Sequence, residues 1–235
     1  KGGGVYSYLM AKVRNSFDKN MDLSKGLCEF IGAFIGDAFY NTYQSGKYTI
    51  QFTGDANLDD KYYTLTITPI TKRLFGMKPY IQKKKNSLRV NFQSKELFYM
   101  LKDRFEFPQG KKVYSVKIPE EIIKAGKEYI YATIRGIFDT DGCIFFDKRA
   151  LYKGPYPRVT LQIANKSLFL QLKSLLSEEF KLYTSERSDR KFYIEIYGHE
   201  QLQKWMLLIG FSNPRHSDKI YAPVAQPGRA QKKFA

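Results

Sequence analysis

The sequence Ile134-Arg-Gly-Ile-Phe-Asp-Thr-Asp-Gly142 has a fainter copy upstream, Phe30-Ile-Gly-Ala-Phe-Ile-Gly-Asp-Ala38. The copies share the glycine at their third position and the aspartate at their eighth: Gly32 and Gly136, Asp37 and Asp141. The other positions are mostly apolar, which predicts two helices buried nearly all round until their acidic ends. An aspartate at the C-terminal end of a helix opposes the helix dipole. Two such carboxylates indicate a site that needs negative charge, such as a metal site, and two core helices that happen to end in aspartate are the alternative.

The rest of the chain repeats in the same order as the two motifs. The motif aspartates are 141 − 37 = 104 residues apart, and Lys111 and Arg215, in two similar loops, are 215 − 111 = 104 residues apart. Each motif is followed by a predicted hairpin, helix, hairpin and helix. We therefore predict an α+β fold, a pseudo-two-fold duplicated αββαββα unit with antiparallel sheets and with the motif helices at the interface.

The predicted divisions are an N-terminal extension at 1–24, a first repeat at 25–125, a second repeat at 126–222 and a flexible tail at 223–235. Near the end of the second repeat, Gly210–Arg215 is predicted to be a loop. Three small residues of the motifs allow close helix approach: Gly32, Gly36 and Gly136. Close approach would bring Asp37 and Asp141 together, and a bridging cation would keep both ionised.

The composition indicates a polyanionic partner. Lys+Arg minus Asp+Glu is 39 − 23 = +16, so nucleic acid is the first candidate. An anionic membrane surface is the rival, but no apolar run reaches the roughly 18 residues that span a bilayer. Cys28 and Cys143 are typical of reduced intracellular thiols. The two histidines are too scattered for a His-built site, so any metal should be a hard cation held by oxygen, such as Mg²⁺.

The four predicted hairpins alternate between apolar and polar residues. Their polar side chains are of the kinds that read base edges in a major groove, although an ordinary solvated sheet has the same pattern. The predicted DNA-contacting residues of the first half are Lys47, Thr49, Gln51, Arg89, Asn91 and Gln93, with Lys83, Lys84 and Lys85 on phosphates. Those of the second half are Arg158, Thr160, Gln162, Tyr193 and Glu195. Together the two faces would form a saddle along the DNA.

At the two motifs the chain resembles the LAGLIDADG family of homing endonucleases, in its monomeric two-repeat, archaeal intron-encoded form. The downstream motif matches the family pattern at Gly136, Asp139, Asp141 and Gly142. The upstream copy keeps the glycine and the eighth-position aspartate but departs at Gly36 and Ala38. The resemblance covers roughly residues 25–222. It implies a sequence-specific endonuclease that hydrolyses one phosphodiester per strand of a long asymmetric duplex site and leaves short 3′ overhangs.

The resemblance also implies which residues carry the chemistry. Asp37 and Asp141 would bind the catalytic divalent ions, assisted by the backbone carbonyls of Gly36 and Thr140. The sixth-position Asp139 would have a structural or supporting role. A basic residue late in each half would lie near the scissile phosphate, and the matching positions are Lys111, with Lys112 as a second candidate, and Arg215.

A polar residue at the end of the second strand of each half would lie near the attacking water. The matching position is Asn165 in the second half but Gly54 in the first. Because glycine has no side chain, Gln51 or Asp55 would have to substitute, or the halves are unequal. In the second case, the two strands of the target would be cut unequally.

The expected cofactor is Mg²⁺, with Mn²⁺ or Ca²⁺ able to substitute in binding, and the expected partner is double-stranded DNA. We expect a monomer without a membrane partner that is intracellular, in the cytoplasm and associated with the nucleoid. One alternative is an RNA maturase, whose partner would be its host intron RNA. The other is a DNA-binding regulator without catalytic activity.

Overall fold

The chain has the predicted α+β fold, and the computed structural model describes residues 17–43, 46–109, 115–149, 154–187 and 191–221. The predicted tail and most of the predicted N-terminal extension lie outside these ranges. The helices are α1 (Lys25–Asp37), α2 (60–75), α3 (95–104), α4 (Glu120–Ala125), α5 (Lys127–Asp141), α6 (Lys166–Ser177), α7 (His199–Leu208) and α8 (Pro214–Tyr221). The strands are β1 (Ala38–Thr42), β2 (Tyr48–Asp55), β3 (Tyr80–Lys84), β4 (Ser87–Gln93), β5 (Gly142–Asp147), β6 (Tyr156–Ile163), β7 (Tyr183–Glu186) and β8 (Phe192–Tyr197).

Each half forms its own antiparallel sheet, in the order β1-β2-β4-β3 in the first half and β5-β6-β8-β7 in the second. Successive side chains of a strand point to opposite faces, so each sheet has one face of buried apolar residues. On the central strands this face is formed by Ile50, Phe52, Val90, Phe92, Val159, Leu161, Ile194 and Ile196. The helices cover this apolar face, and the other face of each sheet is polar.

Two helices of the first half contain π-helical turns, Tyr63–Ile67 within α2 and Met100–Arg104 within α3. In α2 the hydroxyl of Thr68 donates to the carbonyl of Tyr63 over 2.7 Å, which satisfies an acceptor that the wider turn leaves open. None of the helices in the described ranges has the length and apolarity to cross a bilayer.

The loop predicted at Gly210–Arg215 is wrong at its end, because helix α8 begins at Pro214 and continues to Tyr221. Proline is well suited to the first helical position, where its missing N–H would have no partner in any case. The side chain of Asn213 accepts from the backbone N–H of Arg215 over 3.1 Å. Asn-Pro was therefore a helix start signal in the sequence.

The motif helices α1 and α5 pack directly against each other, as predicted, and their glycines lie at the closest approach. A Cβ atom on Gly32 would overlap the carbonyl oxygen of Thr133 and lie 3.0 Å from the Cα of Gly136. A Cβ on Gly136 would overlap the carbonyl oxygen of Glu29 and lie 2.7 Å from the nitrogen of Ala33. Because backbone meets backbone here, only glycine allows this separation.

A buried ion pair also joins the two motif helices. Glu29 of α1 binds Arg135 of α5 with 2.8 Å between Oε2 and Nη2. The Arg135 guanidinium also donates to the carbonyl of Ile209 over 3.1 Å. The Glu29 side chain is 6% exposed, so loss of either partner would leave a charge in the interior.

Candidate active site and nucleic-acid interface

The two motif aspartates lie where α1 and α5 end beside each other. Asp37 is the last residue of α1 and Asp141 the last residue of α5. A Cβ on Gly36 would overlap the hydroxyl of Thr140 and lie 3.2 Å from Oδ2 of Asp141. The residue before Asp37 therefore lies against the Asp141 carboxylate, and glycine at this position permits the approach. The packing of the motif helices brings the two predicted ligands together at one end of the interface.

Tyr63 of α2 lies beneath this pair of carboxylates. Burial raises its pKa well above the usual value, and the next causes are the negative charges of Asp37, Asp59 and Asp141. The Tyr63 hydroxyl donates to the carbonyl of Thr53 over 3.4 Å. The hydroxyl of Thr53 in turn donates to the carbonyl of Asp37 over 3.3 Å. A neutral tyrosine and a strand end thus support the C-terminus of the first motif helix.

Arg215 lies beside the second motif aspartate, and Lys111 and Lys112 lie outside the described residues. The Arg215 guanidinium donates from Nη2 to the carbonyl of Thr140 over 2.6 Å and to that of Gly142 over 3.4 Å. These two residues flank Asp141. The Thr140 carbonyl, a predicted metal ligand, therefore already accepts one hydrogen bond and keeps one lone pair for another partner.

The polar side chains expected near the attacking water have structural contacts instead. Asn165 lines a cavity of about 260 Å³ together with Gly36 and Asp141. Its side-chain oxygen accepts from the backbone of Ser167 and Leu168, and its nitrogen donates to the carbonyl of Val116 over 2.6 Å. The amide oxygen therefore caps the start of α6, and the amide nitrogen ties this helix start to the segment that contains Val116.

In the first half, Asp55 is occupied in a similar way. Its Oδ1 accepts from the backbone N–H groups of Asn57 and Leu58 over 2.8 and 3.0 Å. These hydrogen bonds, that of Leu58 first, hold the pKa of Asp55 below its usual value. Asp59 and Tyr63 occupy the space that a side chain at position 54 would need. A Cβ on Gly54 would lie 3.0 Å from Oδ2 of Asp59 and 3.1 Å from the ring of Tyr63.

Asp139 has the buried environment that fits a supporting residue. Its Oδ2 accepts from the backbone N–H of Ser212 over 2.7 Å, and its carbonyl accepts from the side chain of Asn213 over 2.9 Å. Burial, together with the negative charge of Glu29, raises the pKa of Asp139 to about 8, although the hydrogen bonds from Ser212 and Asn213 oppose this shift. Asp139 thus fixes the loop that leads to Arg215.

The polar face of the first sheet contains most of the residues predicted to contact DNA. Cross-strand pairs on this face are Thr49 with Gln93, Gln51 with Asn91 and Thr53 with Arg89. The same pairing extends the face to residues that the prediction omitted: Asn41, Tyr80 and Gln82. Tyr80 is 69% exposed, so its ring is accessible to a nucleic acid. Lys47 is exposed at the start of β2.

The lysine cluster is divided between the two sides of the sheet, which corrects the prediction for Lys83. Lys83 lies opposite Leu88, a core residue, and its ammonium binds Asp60 of α2 over 2.8 Å. Lys83 therefore faces the helices and does not share the polar face. Lys84 lies opposite Ser87 on the polar side, and Lys85 is exposed in the turn.

The polar face of the second sheet joins all five residues predicted for it. The cross-strand pairs are Arg158 with Tyr197, Thr160 with Glu195, and Gln162 with Tyr193. Two of these pairs are linked directly, since the Tyr193 hydroxyl donates to Gln162 over 2.9 Å and the Thr160 hydroxyl to Glu195 over 3.5 Å.

Arg158 is held in place by aromatic and acidic neighbours on this face. Its guanidinium lies 4.7 Å from the ring centre of Tyr197 and 5.8 Å from that of Phe145. Its Nη2 binds Asp147 over 2.7 Å. The prediction omitted these three neighbours, although the alternation of β5 and β8 places them on the same face. A planar guanidinium fixed in this way is suited to bidentate recognition.

Within the described ranges, no group of three or more His, Cys, Asp and Glu side chains is arranged to hold a metal ion. A cation between Asp37 and Asp141 would have to complete its coordination with backbone carbonyls, water or phosphate oxygens. This donor set consists only of oxygen, which fits a hard divalent cation. At the helix ends, the predicted ligands are the two carboxylates and the carbonyls of Gly36 and Thr140.

Two curated proteins of Methanocaldococcus jannaschii are similar in sequence to this chain. A probable translation initiation factor IF-2 is 27% identical over 161 residues, which are 64% of this chain and 13% of the relative. A DNA polymerase is 25% identical over 188 residues, which are 77% of this chain and 10% of the relative. The chain thus spans only a small part of the length of these curated relatives.

A family model described as a LAGLIDADG-like domain matches residues 128–210, from the start of α5 to the second residue after α7. The solved structure of I-DmoI in complex with DNA and Mn is similar with a TM-score of 0.56 and 17% identity. The similarity covers 79% of this chain and 97% of that one. Residues 128–210 therefore match the LAGLIDADG-like family model, and the described chain has the fold of I-DmoI.

Proposed function

We propose that this chain is a metal-dependent, site-specific endonuclease that cuts both strands of a DNA duplex. The observation that carries the proposal is the meeting of Asp37 and Asp141 at the adjoining ends of two buried helices. Helix packing positions two acids where the helix dipoles disfavour them. Such an arrangement is costly for stability, and a bound cation offsets that cost.

The proposed cofactor is Mg²⁺, held by Asp37 and Asp141 with the Gly36 carbonyl as a further ligand. When bound, a divalent cation lowers the pKa of a coordinated water and neutralises charge on the departing oxygen. The protein's own contribution is positional: the two carboxylates come from opposite halves, and Arg215 lies next to Asp141 to contact a phosphate. I-DmoI has been solved with DNA and Mn, with DNA and Ca, and as a variant with its target DNA and Mg. These complexes support a divalent cation and leave its identity in this chain to experiment.

The polar faces of the two sheets are proposed to lie along the DNA as one saddle. Each face has its own set of side chains, because Thr49, Gln51 and Thr53 of β2 occupy the positions that Arg158, Thr160 and Gln162 occupy in β6. A surface that differs between its halves recognises a site that differs between its halves. We therefore propose an asymmetric target, one cut per strand and short 3′ overhangs, made by a monomer.

The similarity to parts of two proteins with unrelated names supports a mobile element as the origin of this chain. The matched segments make up only 13% and 10% of the translation factor and the polymerase. A segment found inside proteins of different function is an insertion that can move between hosts. An intron or intein-like host gene is therefore proposed for this chain as well. A maturase role receives no such support, since the solved structure reported above holds DNA.

Cleavage selection tests the proposal directly. A randomised duplex library is incubated with the purified chain and Mg²⁺, and the ends produced are sequenced. We expect one long asymmetric sequence, a constant stagger between the strands, and no products when EDTA replaces Mg²⁺. Binding without cleavage in Mg²⁺, Mn²⁺ and Ca²⁺ would refute the nuclease and favour a DNA-binding regulator. The Asp103→Asn variant, which changes an exposed aspartate of α3, serves as a charge-matched control with full activity.

A further inference from the structure

Asp59 is a buried carboxylate that joins the two halves of the chain. It lies between β2 and α2, and its side chain is 5% exposed. Its Oδ2 accepts from the backbone N–H of Asp55 over 2.8 Å. Its Oδ1 accepts from the side chain of Asn213 over 3.0 Å and binds Nη1 of Arg215 over 2.8 Å. A first-half acid thus contacts two polar residues of the second half, Asn213 before helix α8 and Arg215 in its first turn.

The contact holds the Arg215 guanidinium at a defined place beside Asp141. Nη1 is bound by Asp59, Nη2 by the carbonyl of Thr140, and Nε donates to Nε2 of His216 over 3.1 Å. Because all three nitrogens of the planar group have partners, it cannot rotate without losing one of them. The Arg215 side chain remains 17% exposed, and the second N–H of Nη1 could donate to a phosphate.

The glycine at position 54 is explained by the same arrangement. A Cβ there would lie 3.0 Å from Oδ2 and 3.1 Å from Cβ of Asp59. Gly54 therefore provides the space in which Asp59 turns toward the second half. Position 54 has no polar side chain. The carboxylate of Asp59, five residues later, supplies a polar group, and it binds Arg215 of the other half.

The second half has no acid at the position that matches Asp59. Residues 164–177, which follow β6, contain no aspartate or glutamate. Through Arg215, the Asp59 ion pair reaches the half of the proposed site that contains Asp141.

We propose that Asp59 is a positioning residue that holds Arg215 beside Asp141, so that cleavage of one particular strand depends on it. This inference rests on the proposed endonuclease function. Asp59 acts through Arg215 and does not itself contact the substrate. Loss of the acid lets the guanidinium move by about an ångström or more, and displacements of that size reduce rates by about a hundredfold in enzymes.

The test measures the rate for each strand separately. The duplex recovered by cleavage selection is labelled at its two 5′ ends with different dyes, and both rates are followed with Mg²⁺ for the wild type and the Asp59→Asn variant. We expect that one strand is cut at least about tenfold more slowly while the other keeps its rate within about twofold, so that nicked duplex accumulates. Asp60→Asn removes the neighbouring surface charge that binds Lys83 and should leave both rates unchanged.

A double-mutant cycle of Asp59→Asn with Arg215→Gln shows whether Asp59 affects the cleavage rate by positioning Arg215 or by general structural support. Once the guanidinium is absent, adding Asp59→Asn should not slow the affected strand further. If Asp59→Asn alone does not fold, this comparison of Arg215→Gln with the double variant takes its place. Equal slowing of both strands by Asp59→Asn, or a further loss in the double variant, would overturn the inference. A wild-type chain that cuts no duplex would instead refute the proposed function, and this inference with it.

Discussion

The close packing of the motif helices makes a quantitative prediction for Gly136→Ala. The new Cβ would lie 2.7 Å from the nitrogen of Ala33, and ordinary contact begins at 3.4 Å, so the helices must separate by at least 3.4 − 2.7 = 0.7 Å. Forcing atoms into a packed interface costs about 1–3 kcal/mol. The higher helix propensity of alanine offsets up to about 1 kcal/mol of this. We expect the free energy of unfolding to fall by about 1–2 kcal/mol.

Urea denaturation measures this change, and two other glycines provide matched controls. Gly154→Ala adds a methyl group in open space, with nothing within 4 Å, and should leave stability unchanged. Gly26→Ala lies in α1, where the new atom meets the end of the flexible Arg73 side chain and makes ordinary contact with Ile70, so the same helix propensity gain should appear without the backbone clash.

The same substitution should affect cleavage more than stability. Separating the helices moves Asp141 relative to Asp37, and a displacement of about 1 Å can lower the rate about a hundredfold. The folded fraction stays near one at this loss of stability, so the activity change would come from geometry. Full stability and full activity of Gly136→Ala would refute the claim that the glycine contact sets the distance between the two carboxylates.

Two further predictions concern His216 and the lysines of the β3–β4 turn. Burial, followed by the charges of Arg215 and Lys219, lowers the pKa of His216 to about 3. Between about pH 6.5 and pH 3, His216 is therefore protonated in the unfolded chain but neutral in the folded chain, so the free energy of unfolding should fall as the pH drops through this range. The urea midpoint should decrease between pH 7 and pH 4.5, and it should decrease less for His216→Gln than for the wild type. Lys84→Ala should weaken DNA binding and reduce the slope of log K against log salt by about 1, whereas Lys83→Ala should leave the slope unchanged because Lys83 faces the helices. Equal slopes for the two lysine variants in fluorescence anisotropy titrations would contradict the assignment of faces.

Sequence periodicity predicted most of the elements and most of the polar faces, but it missed helix α8. The two nine-residue copies form helices that end at Asp37 and Asp141. The alternation of β2, β4, β6 and β8 placed the polar residues on the correct face. Lys83 was misplaced although the register was readable. A two-residue turn at 85–86 pairs Lys84 with Ser87 and Lys83 with Leu88, and Leu88 belongs to the core.

The contacts that join the two halves could not be predicted from local sequence patterns. Asp59 and Arg215 are 215 − 59 = 156 residues apart, and only the packing of α1 against α5 makes them neighbours. For the same reason, Asn165 looked like a free polar group at a strand end, whereas the start of α6 and the Val116 carbonyl engage its amide. Local sequence does not encode which of two chemically similar uses a side chain will have, because that depends on the partner brought by the fold.

We propose that Asp37 and Asp141 form one composite site, so that neither motif is an active site by itself. The direct measurement is strand-resolved cleavage of the selected duplex with Mg²⁺ by Asp37→Asn and Asp141→Asn, with Asp103→Asn as control. We expect that each single variant loses double-strand cleavage activity by at least about a hundredfold, while it still binds the duplex and remains folded. A double-strand cut made at the wild-type rate by either variant would contradict it.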